Sequence, residues 1–227
     1  MSGHPLDRTA WNALGGRQAE FALGGGRARR FKPEIGPIAA VADHNEASLK
    51  ALADLVPAGS GIFTLEYSET PAPEGLVTGK VVPIMQLTAP NGLTGAPIAS
   101  AYTTLTDADA SEMLALALLT EPGPFSTATH HLGQFIGVKV DGRLVAMAGE
   151  RMKTGGFSEV SGVCTHPDFQ GRGYARMLSY AVAKRILERR ETPFLHAYES
   201  NVGAIALYEK LGFAIRARFM VTVLNRL

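Results

Sequence analysis

The stretch HPDFQGRGYARML, which runs from His166 to Leu178, holds two glycines, an arginine between them and the start of an apolar helical repeat. The first N–H groups of a helix have no partner within it, and the aligned peptide dipoles place about half a positive charge there. Glycine lets the backbone approach an anion closely and adopt positive φ angles. The stretch therefore predicts a turn that leads into a helix and can hold a phosphate group.

Two common phosphate-binding motifs do not account for this turn. The chain contains no G-x-x-x-x-G-K-[ST] segment, and Arg176 stands where the dinucleotide motif G-x-G-x-x-G has its third glycine. Two glycines can also serve only to connect a strand tightly to a helix. On its own residues, the turn indicates either an anion site or a tight connection, and it names no ligand.

A second stretch, NVGAIALYEKLGF from Asn201 to Phe213, has the pattern of a short helix. At 100° per residue, Asn201, Ala204 and Tyr208 fall within about 60° of one another on the helix surface. Asn201 can cap the start of the helix, and Gly212 suits the residue that follows its end. The pattern predicts one helix face that carries an amide, a small residue and a phenol.

The two stretches together resemble a known family. Residues 170–175, QGRGYA, resemble the Q/R-x-x-G-x-G/A motif of the GNAT superfamily of acyl-CoA-dependent N-acetyltransferases, and residues 201–213 resemble its N-x-x-A-x-x-L-Y-x-k-x-G-F signature. Both motifs occur in the family's order and at its spacing, and the resemblance covers about residues 98–227. The two-part layout also resembles the branch that includes glycine N-acyltransferase-like proteins. The resemblance implies a GNAT fold of the α/β (α+β) class, with a mixed, mostly antiparallel central sheet and flanking helices.

The resemblance implies acetyl-CoA (coenzyme A) as co-substrate and no metal. The backbone of residues 171–175 would hold the pyrophosphate, while the main chain of the preceding strand would pair with the pantetheine arm and the acetyl carbonyl. The residues that the resemblance assigns to this cofactor are Val163, Cys164, Thr165, Gln170, Gly171, Arg172, Gly173, Tyr174, Ala175, Asn201 and Ala204.

Two catalytic residues follow from the same resemblance. Tyr208 would protonate the departing thiolate, since a free phenol titrates near 10 and a thiol near 8.5. Glu159, on the strand before the glycine turn, is the leading candidate for the base that deprotonates the amine. Glu150 on the neighbouring strand and a chain of water molecules are the alternatives.

Two other side-chain combinations carry weaker indications. Cys164 and His166 would share one face of an extended strand, which suits a nucleophile and its base, but no third orienting group is identifiable. A cysteine packed beside the cofactor is the favoured interpretation. His130 and His131 have no carboxylate nearby at metal-ligand spacing and no H-E-x-x-H motif exists, which predicts no metal site.

The pattern of breakers and periodicity predicts the organisation of the chain. Prolines and glycines over residues 71–97 indicate a boundary between an N-terminal α/β region of unknown role (1–97) and a GNAT N-acetyltransferase domain (98–227). Asp141-Gly142 predicts a type I′ hairpin turn. Pro83 predicts an edge strand over residues 81–87. The C-terminal residues predict two strands, 213–218 and 220–224.

Composition limits the partners. The 227 residues hold 22 Lys and Arg and 21 Asp and Glu, a net charge of +1, which supports neither a nucleic-acid nor a membrane partner. A single cysteine excludes an internal disulfide. The N-terminus has no signal-peptide pattern, and no apolar run in the sequence approaches the roughly 20 residues that span a bilayer. We expect a cytoplasmic protein, monomeric or homodimeric.

The predicted activity is transfer of an acetyl group from acetyl-CoA to a primary amine of a small molecule or peptide, by direct attack in a ternary complex. The alternative is a non-catalytic, acyl-CoA-binding regulatory protein on the same fold. Nothing in the sequence names the acceptor amine or the preferred acyl-chain length.

Overall fold

The computed structural model describes residues 3–95 and 101–227. Its helices are α1 (Thr9–Leu14), α2 (Glu46–Asp54), α3 (Ala110–Thr120), α4 (Tyr174–Glu188) and α5 (Val202–Glu209). Its strands are β1 (Ala22–Gly24), β2 (Ala28–Phe31), β3 (Ile38–Val41), β4 (Gly61–Glu66), β5 (Val77–Thr88), β6 (Thr103–Thr104), β7 (Ile136–Val140), β8 (Arg143–Thr154), β9 (Phe157–Thr165), β10 (Thr192–Tyr198) and β11 (Ala214–Asn225). The predicted boundary between residues 97 and 98 lies outside the described residues.

One sheet joins all of the described strands in the order β1-β2-β3-β4-β11-β5-β10-β9-β8-β7-β6. The pairs β3–β4 and β9–β10 are parallel, and the other neighbours are antiparallel. Helix α4 packs on β8 and β9, and α1 packs on β8 and β3. The predicted α/β (α+β) class, with a mixed, mostly antiparallel sheet and flanking helices, is confirmed.

Strand β5 lies inside the sheet, between β11 and β10, so the expectation of an edge strand is wrong. The pairing of β5 with β10 begins at Ile84, opposite Tyr198, and Pro83 lies just before it. There the Pro83 carbonyl accepts a hydrogen bond from the Glu199 amide at 3.1 Å. Because β10 has already ended, the N–H that proline lacks would have had no ladder partner, and the sheet tolerates it.

The division at residue 97 stays a prediction, but the sheet shows how closely the two regions are joined. Strand β5, which precedes that position, pairs along its length with β11, from Val77 opposite Asn225 to Thr88 opposite Ala214. Strand β4 pairs with the other edge of β11. The first region therefore supplies both neighbours of the last strand of the chain.

Local sequence patterns predicted some elements correctly and others incorrectly. Asp141 and Gly142 have φ angles of 50° and 79°, as a type I′ turn requires. The Asn45 side chain accepts a hydrogen bond from the Ser48 amide at 2.8 Å and caps α2. The two predicted terminal strands are one strand, β11, whose register shifts between Ile215 and Ala217 and between Val223 and Leu224.

None of the helices in the described ranges combines the length and the apolar character that a membrane span requires.

Candidate active site

A cavity of about 1120 Å³ opens where β9 and β10 separate. The two strands are parallel neighbours only over Phe157–Glu159, opposite Thr192–Phe194. Beyond that point β9 remains paired with β8, and β10 remains paired with β5. The facing edges of β9 and β10 therefore diverge. The divergence leaves main-chain groups of the second half of β9 without a strand partner on the cavity side.

A bulge in β9 adds to this opening. The pairing with β8 jumps from Ser161 opposite Gly149 to Cys164 opposite Met147, and Gly162 takes the left-handed φ angle of 61°. Val163 is left out of the ladder. Val163, Cys164 and Thr165 all line the cavity, which places the predicted pantetheine-contacting residues along its wall.

The glycine turn forms the next part of the wall. Gly171 and Gly173 have φ angles of 74° and 79°, a region that other residues adopt only with strain, and Gly173 is the N-cap of α4. The first hydrogen bond that closes the helix runs from the Met177 amide to the Gly173 carbonyl at 3.0 Å. The amides of residues 174–176 therefore have no partner within the helix. Residues 170–176 line the cavity, so these donors lie at its rim.

Helix α5 supplies the facing wall. The Asn201 side chain accepts a hydrogen bond from the Ala204 amide at 3.1 Å, and Gly212 has a φ of 97°, as their predicted capping roles require. Asn201, Ala204 and Tyr208 all line the cavity. Tyr208 is 8% exposed, and burial raises its pKa to about 12. At neutral pH its hydroxyl therefore carries its proton.

The structure thus brings every predicted cofactor residue, together with Tyr208, to one cavity. Their roles in binding and catalysis stay predictions.

Glu159 does not line the cavity and is fully buried. Arg151 donates to its two carboxylate oxygens, from Nε at 2.9 Å and from Nη2 at 2.8 Å. The Met152 amide donates at 3.1 Å, and His196 Nδ1 lies 2.8 Å away. Burial by itself raises the pKa of Glu159, but the charge and hydrogen bonds of Arg151 outweigh it and lower the pKa to about 2.

Glu150, the alternative base, is 2% exposed and is likewise occupied. It forms ion pairs with Lys153 Nζ at 3.0 Å and with Arg189 Nη2 at 2.9 Å. It is not among the residues that line the cavity. Neither of the two predicted carboxylates therefore faces the described cavity wall.

The cavity also has lining residues that were not predicted from the sequence, among them Glu121, Arg151 and His196. Glu121 ends α3 with a left-handed φ of 47°, an uncommon conformation for a residue other than glycine. A glutamate before Pro-Gly-Pro could have been read as a helix end, but nothing local shows that this end reaches the cavity.

His196 belongs to a buried hydrogen-bond network that crosses the sheet. Gln86 Oε1 accepts from Arg216 Nη1 at 2.7 Å, which turns Gln86 Nε2 toward His196 Nε2 at 3.0 Å. His196 Nε2 therefore accepts from Gln86, and its Nδ1 donates to Glu159. Gln86 lies on β5, so the network ties the N-terminal region to the edge of the cavity.

Cys164 has the surroundings of a packing residue. Its side chain lies in a buried cluster with Met113, Phe135 and Met147, and burial raises the pKa of the thiol to about 11. His166, considered above as its partner, contacts Arg143 Nη2 at 2.7 Å through its own Nε2. These contacts support the interpretation that Cys164 packs beside the cleft.

The expectation that no carboxylate lies near His130 and His131 is wrong. Asp107 Oδ1 lies 3.0 Å from His130 Nε2 and 3.1 Å from His131 Nε2. Both contacts are hydrogen bonds, and they lower the pKa of Asp107. His130 Nδ1 is buried without a partner in the described part of the chain, whereas a metal-bound imidazole normally donates from its second nitrogen. That no metal binds stays a prediction.

Comparison with known proteins identifies the family. The model of the FR47-like protein family matches residues 136–221. A crystal structure of an acetyltransferase assigned to the GNAT family, from Novosphingobium aromaticivorans DSM 12444, is 43% identical, with a TM-score of 0.91 over 99% of this chain and 100% of that chain. No match was found among curated proteins.

More distant structures share the fold alone. A GCN5-related N-acetyltransferase from Kribbella flavida is 16% identical, with a TM-score of 0.67 over 95% of this chain and 94% of that chain. A GCN5-related N-acetyltransferase-like protein from Streptococcus suis is 14% identical, with a TM-score of 0.59 over 94% of this chain and 91% of that chain. The glycine N-acyltransferase-like branch is not distinguished by these matches and stays a prediction. The identity and coverage of the Novosphingobium protein show that this chain is an acyltransferase and belongs to the GNAT family.

Proposed function

We propose that the chain transfers an acetyl group from acetyl-CoA to a primary amine by direct attack in a ternary complex. One observation carries this proposal: a single cavity is lined by the separated edge of β9, the N-terminus of α4 and the phenol of Tyr208. The strand edge would pair with the amides of the pantetheine arm, and the helix N-terminus would donate hydrogen bonds to the pyrophosphate. The phenol would serve as an acid for the leaving thiolate. The acceptor would be a small molecule or a peptide, and a cytoplasmic monomer or homodimer is part of the proposal.

The cofactor would lie along β9 and end at the glycine turn. The unpartnered amides of residues 174–176 would hold the pyrophosphate, helped by the side chains of Arg172, Arg176 and Lys210, which line the same cavity. The main chain of residues 163–165 would pair with the amides of pantetheine as an added strand does. An amide of this segment would also polarise the thioester carbonyl.

The reaction would begin when the unprotonated amine attacks the acetyl carbonyl carbon. A C–N bond forms, the C–S bond breaks, the amine loses one proton and the thiolate of coenzyme A leaves. A phenol with a pKa of about 12 is a weaker acid than a thiol near 8.5 by between three and four pKa units. Tyr208 would therefore stabilise the leaving sulfur chiefly as a hydrogen-bond donor, with complete proton transfer following from water.

For the base we propose Glu121 in place of Glu159. A carboxylate that titrates near 2, with both oxygens held by Arg151, Met152 and His196, is poorly suited to take a proton from an amine. Glu121 lines the cavity and follows Thr120, whose hydroxyl helps to set the pKa of Cys164 on β9. Its carboxylate would then lie near the strand that would hold the thioester. Glu159 would position Arg151 and His196.

The decisive experiment measures release of free thiol from acetyl-CoA across polyamines, amino acids, aminoglycosides and peptide N-termini, alongside calorimetry of acetyl-CoA binding. We expect binding together with thiol release for at least one class. Binding without release for any class would contradict the enzyme and support the non-catalytic alternative.

The base is tested by Glu121→Gln. We expect kcat to fall about 10²-fold, with a changed pH–rate profile and unchanged acetyl-CoA affinity. The matched control is Glu188→Gln on the exposed surface of α4, which should leave the rate unchanged. A normal pH–rate profile in Glu121→Gln would transfer the role to water.

A further inference from the structure

The cavity has an apolar section that the cofactor residues do not use. The side chains that form it belong to strands on the far side of β10 from β9, namely Ile38 of β3, Phe63 and Leu65 of β4, Ile84 of β5 and Val221 of β11. They share one wall, because Ile38 pairs with Phe63 and Leu65 pairs with Val221 in neighbouring strands. This wall is built entirely by the N-terminal strands and the last strand.

An apolar wall selects against acceptors that carry several charges. Transfer of an unpaired ammonium into such surroundings is costly, whereas burial of an aliphatic or aromatic side chain is favourable. Polyamines and aminoglycosides fit this section poorly. An amine that bears one apolar group fits it well.

Arg151 supplies a polar anchor in the same cavity. It is 9% exposed, and Nε and Nη2 are taken by Glu159. Its Nη1 has no hydrogen-bond partner within residues 3–95 and 101–227. This atom lies 3.8 Å from the position that a Cβ would take at Gly123, on the cavity-lining loop after α3. The guanidinium therefore turns its remaining N–H edge toward the cavity.

That edge is suited to a carboxylate. A guanidinium has five N–H donors, and after one bidentate pair it still presents Nη1 and the second hydrogen of Nη2 to another planar acceptor. Glu159 fixes the orientation of the group, so little side-chain freedom is lost when a ligand binds.

From the wall and the anchor we infer that the acceptor is an α-amino acid with an apolar side chain. This inference rests on the proposed acetyl transfer. The carboxylate pairs with Arg151, the side chain packs on the wall of β3, β4, β5 and β11, and the amine is directed to the thioester. The nitrogen forms the bond to the acetyl carbon, gives its proton to Glu121, and the products are the N-acetyl amino acid and coenzyme A.

The first test uses the unaltered protein and matched acceptors. Thiol release is compared for L-phenylalanine, L-phenylalaninamide, 2-phenylethylamine, glycine and spermidine, with rates expressed per unprotonated amine. We expect kcat/KM to be highest for L-phenylalanine. Loss of the charged hydrogen bonds in the amide and in the decarboxylated amine should cost about 10- to 100-fold. Loss of the side chain in glycine should cost a similar factor.

The second test uses two variants. Arg151→Lys keeps a positive charge beside Glu159 but removes the planar fork, and its folding is checked by thermal melting. We expect it to lower kcat/KM for L-phenylalanine at least 10-fold while leaving the value for 2-phenylethylamine nearly unchanged. Phe63→Ala should lower the value for L-phenylalanine and leave that for glycine unchanged.

The outcomes separate this inference from the proposed function. If spermidine or 2-phenylethylamine is the best acceptor, or if Arg151→Lys reduces all acceptors equally, the acceptor class is wrong while acetyl transfer stands. If acetyl-CoA fails to bind, or binds without thiol release from any amine, the proposed function itself fails, and this inference fails with it.

Discussion

Glu159→Gln is the substitution with the clearest energetic consequence. The carboxylate has a pKa of about 2 in the folded chain, against about 4.5 for an unperturbed glutamate. Each unit is equivalent to about 1.4 kcal/mol, so the ionised group contributes about 3 kcal/mol to folding at pH 7. Breaking a buried pair by removing one partner typically costs a similar 3–5 kcal/mol, because the other charge is left without compensation.

The pH dependence makes this expectation specific. Because folding lowers the pKa, the stabilisation is fully present above about pH 4.5 and is lost as the pH falls toward 2. We expect the free energy of unfolding of Glu159→Gln to lie about 3 kcal/mol below that of the unaltered chain at pH 7, and only about 1 kcal/mol below it at pH 3.

The measurement is urea unfolding at both pH values, followed by the fluorescence of the single tryptophan, Trp11, and by circular dichroism. The control is Glu188→Gln, whose exposed pair with Lys184 spans 3.8 Å and should contribute less than about 1 kcal/mol at either pH. A combined Arg151→Met and Glu159→Gln variant should recover much of the loss, because both buried charges are then gone. A difference that is the same at pH 7 and pH 3 would refute the reasoning.

Three further predictions concern the cavity. Gly173→Glu should abolish acetyl-CoA binding in calorimetry, because a φ of 79° strains a residue other than glycine and the added charge would repel the pyrophosphate at the proposed site. Gly155→Ala, in an open hairpin turn, is the control and should bind normally; unchanged affinity in a folded Gly173→Glu protein would contradict the phosphate site. Tyr208→Phe should lower kcat about 10²-fold with the same acetyl-CoA Kd, and an unaltered kcat would remove Tyr208 from the mechanism. Cys164, with a pKa of about 11, should react with a disulfide reagent at pH 8 only after unfolding, whereas rapid labelling of the folded protein would show an accessible thiolate.

The parts of the site that lie close together in sequence were predictable. The end of β9, the glycine turn and the start of α4 form one uninterrupted segment, and Asn201, Ala204 and Tyr208 lie on one short helix. Their chemistry depends on helix starts and on a fixed angle per residue, which local sequence specifies. The elements of the C-terminal half could be placed for the same reason.

Features that depend on strand pairing could not be read from local patterns. Glu159 has the expected position on β9, but the sequence does not show that Arg151 and His196, on its two neighbouring strands, take both of its oxygens. Pro83 suggested an edge because local rules do not reveal where a partner strand ends. Asp107 meets His130 and His131 only because two short 3₁₀ helices, Asp107–Asp109 and Thr129–Leu132, come together in the fold.

The insertion of β5 between β10 and β11 has a consequence for synthesis of the chain. Val77–Thr88 leaves the ribosome long before its partners, Thr192–Tyr198 and Ala214–Asn225, have been made. Pairing over such sequence distances is slow, and until then the strand presents unpaired edges that invite aggregation or chaperone binding. We expect residues 98–227 produced alone to lack a stable sheet, and co-expressed residues 1–97 to rescue them as a split protein. The cavity, whose recognisable motifs all lie in the second half of the chain, would then form only after the first half has joined it.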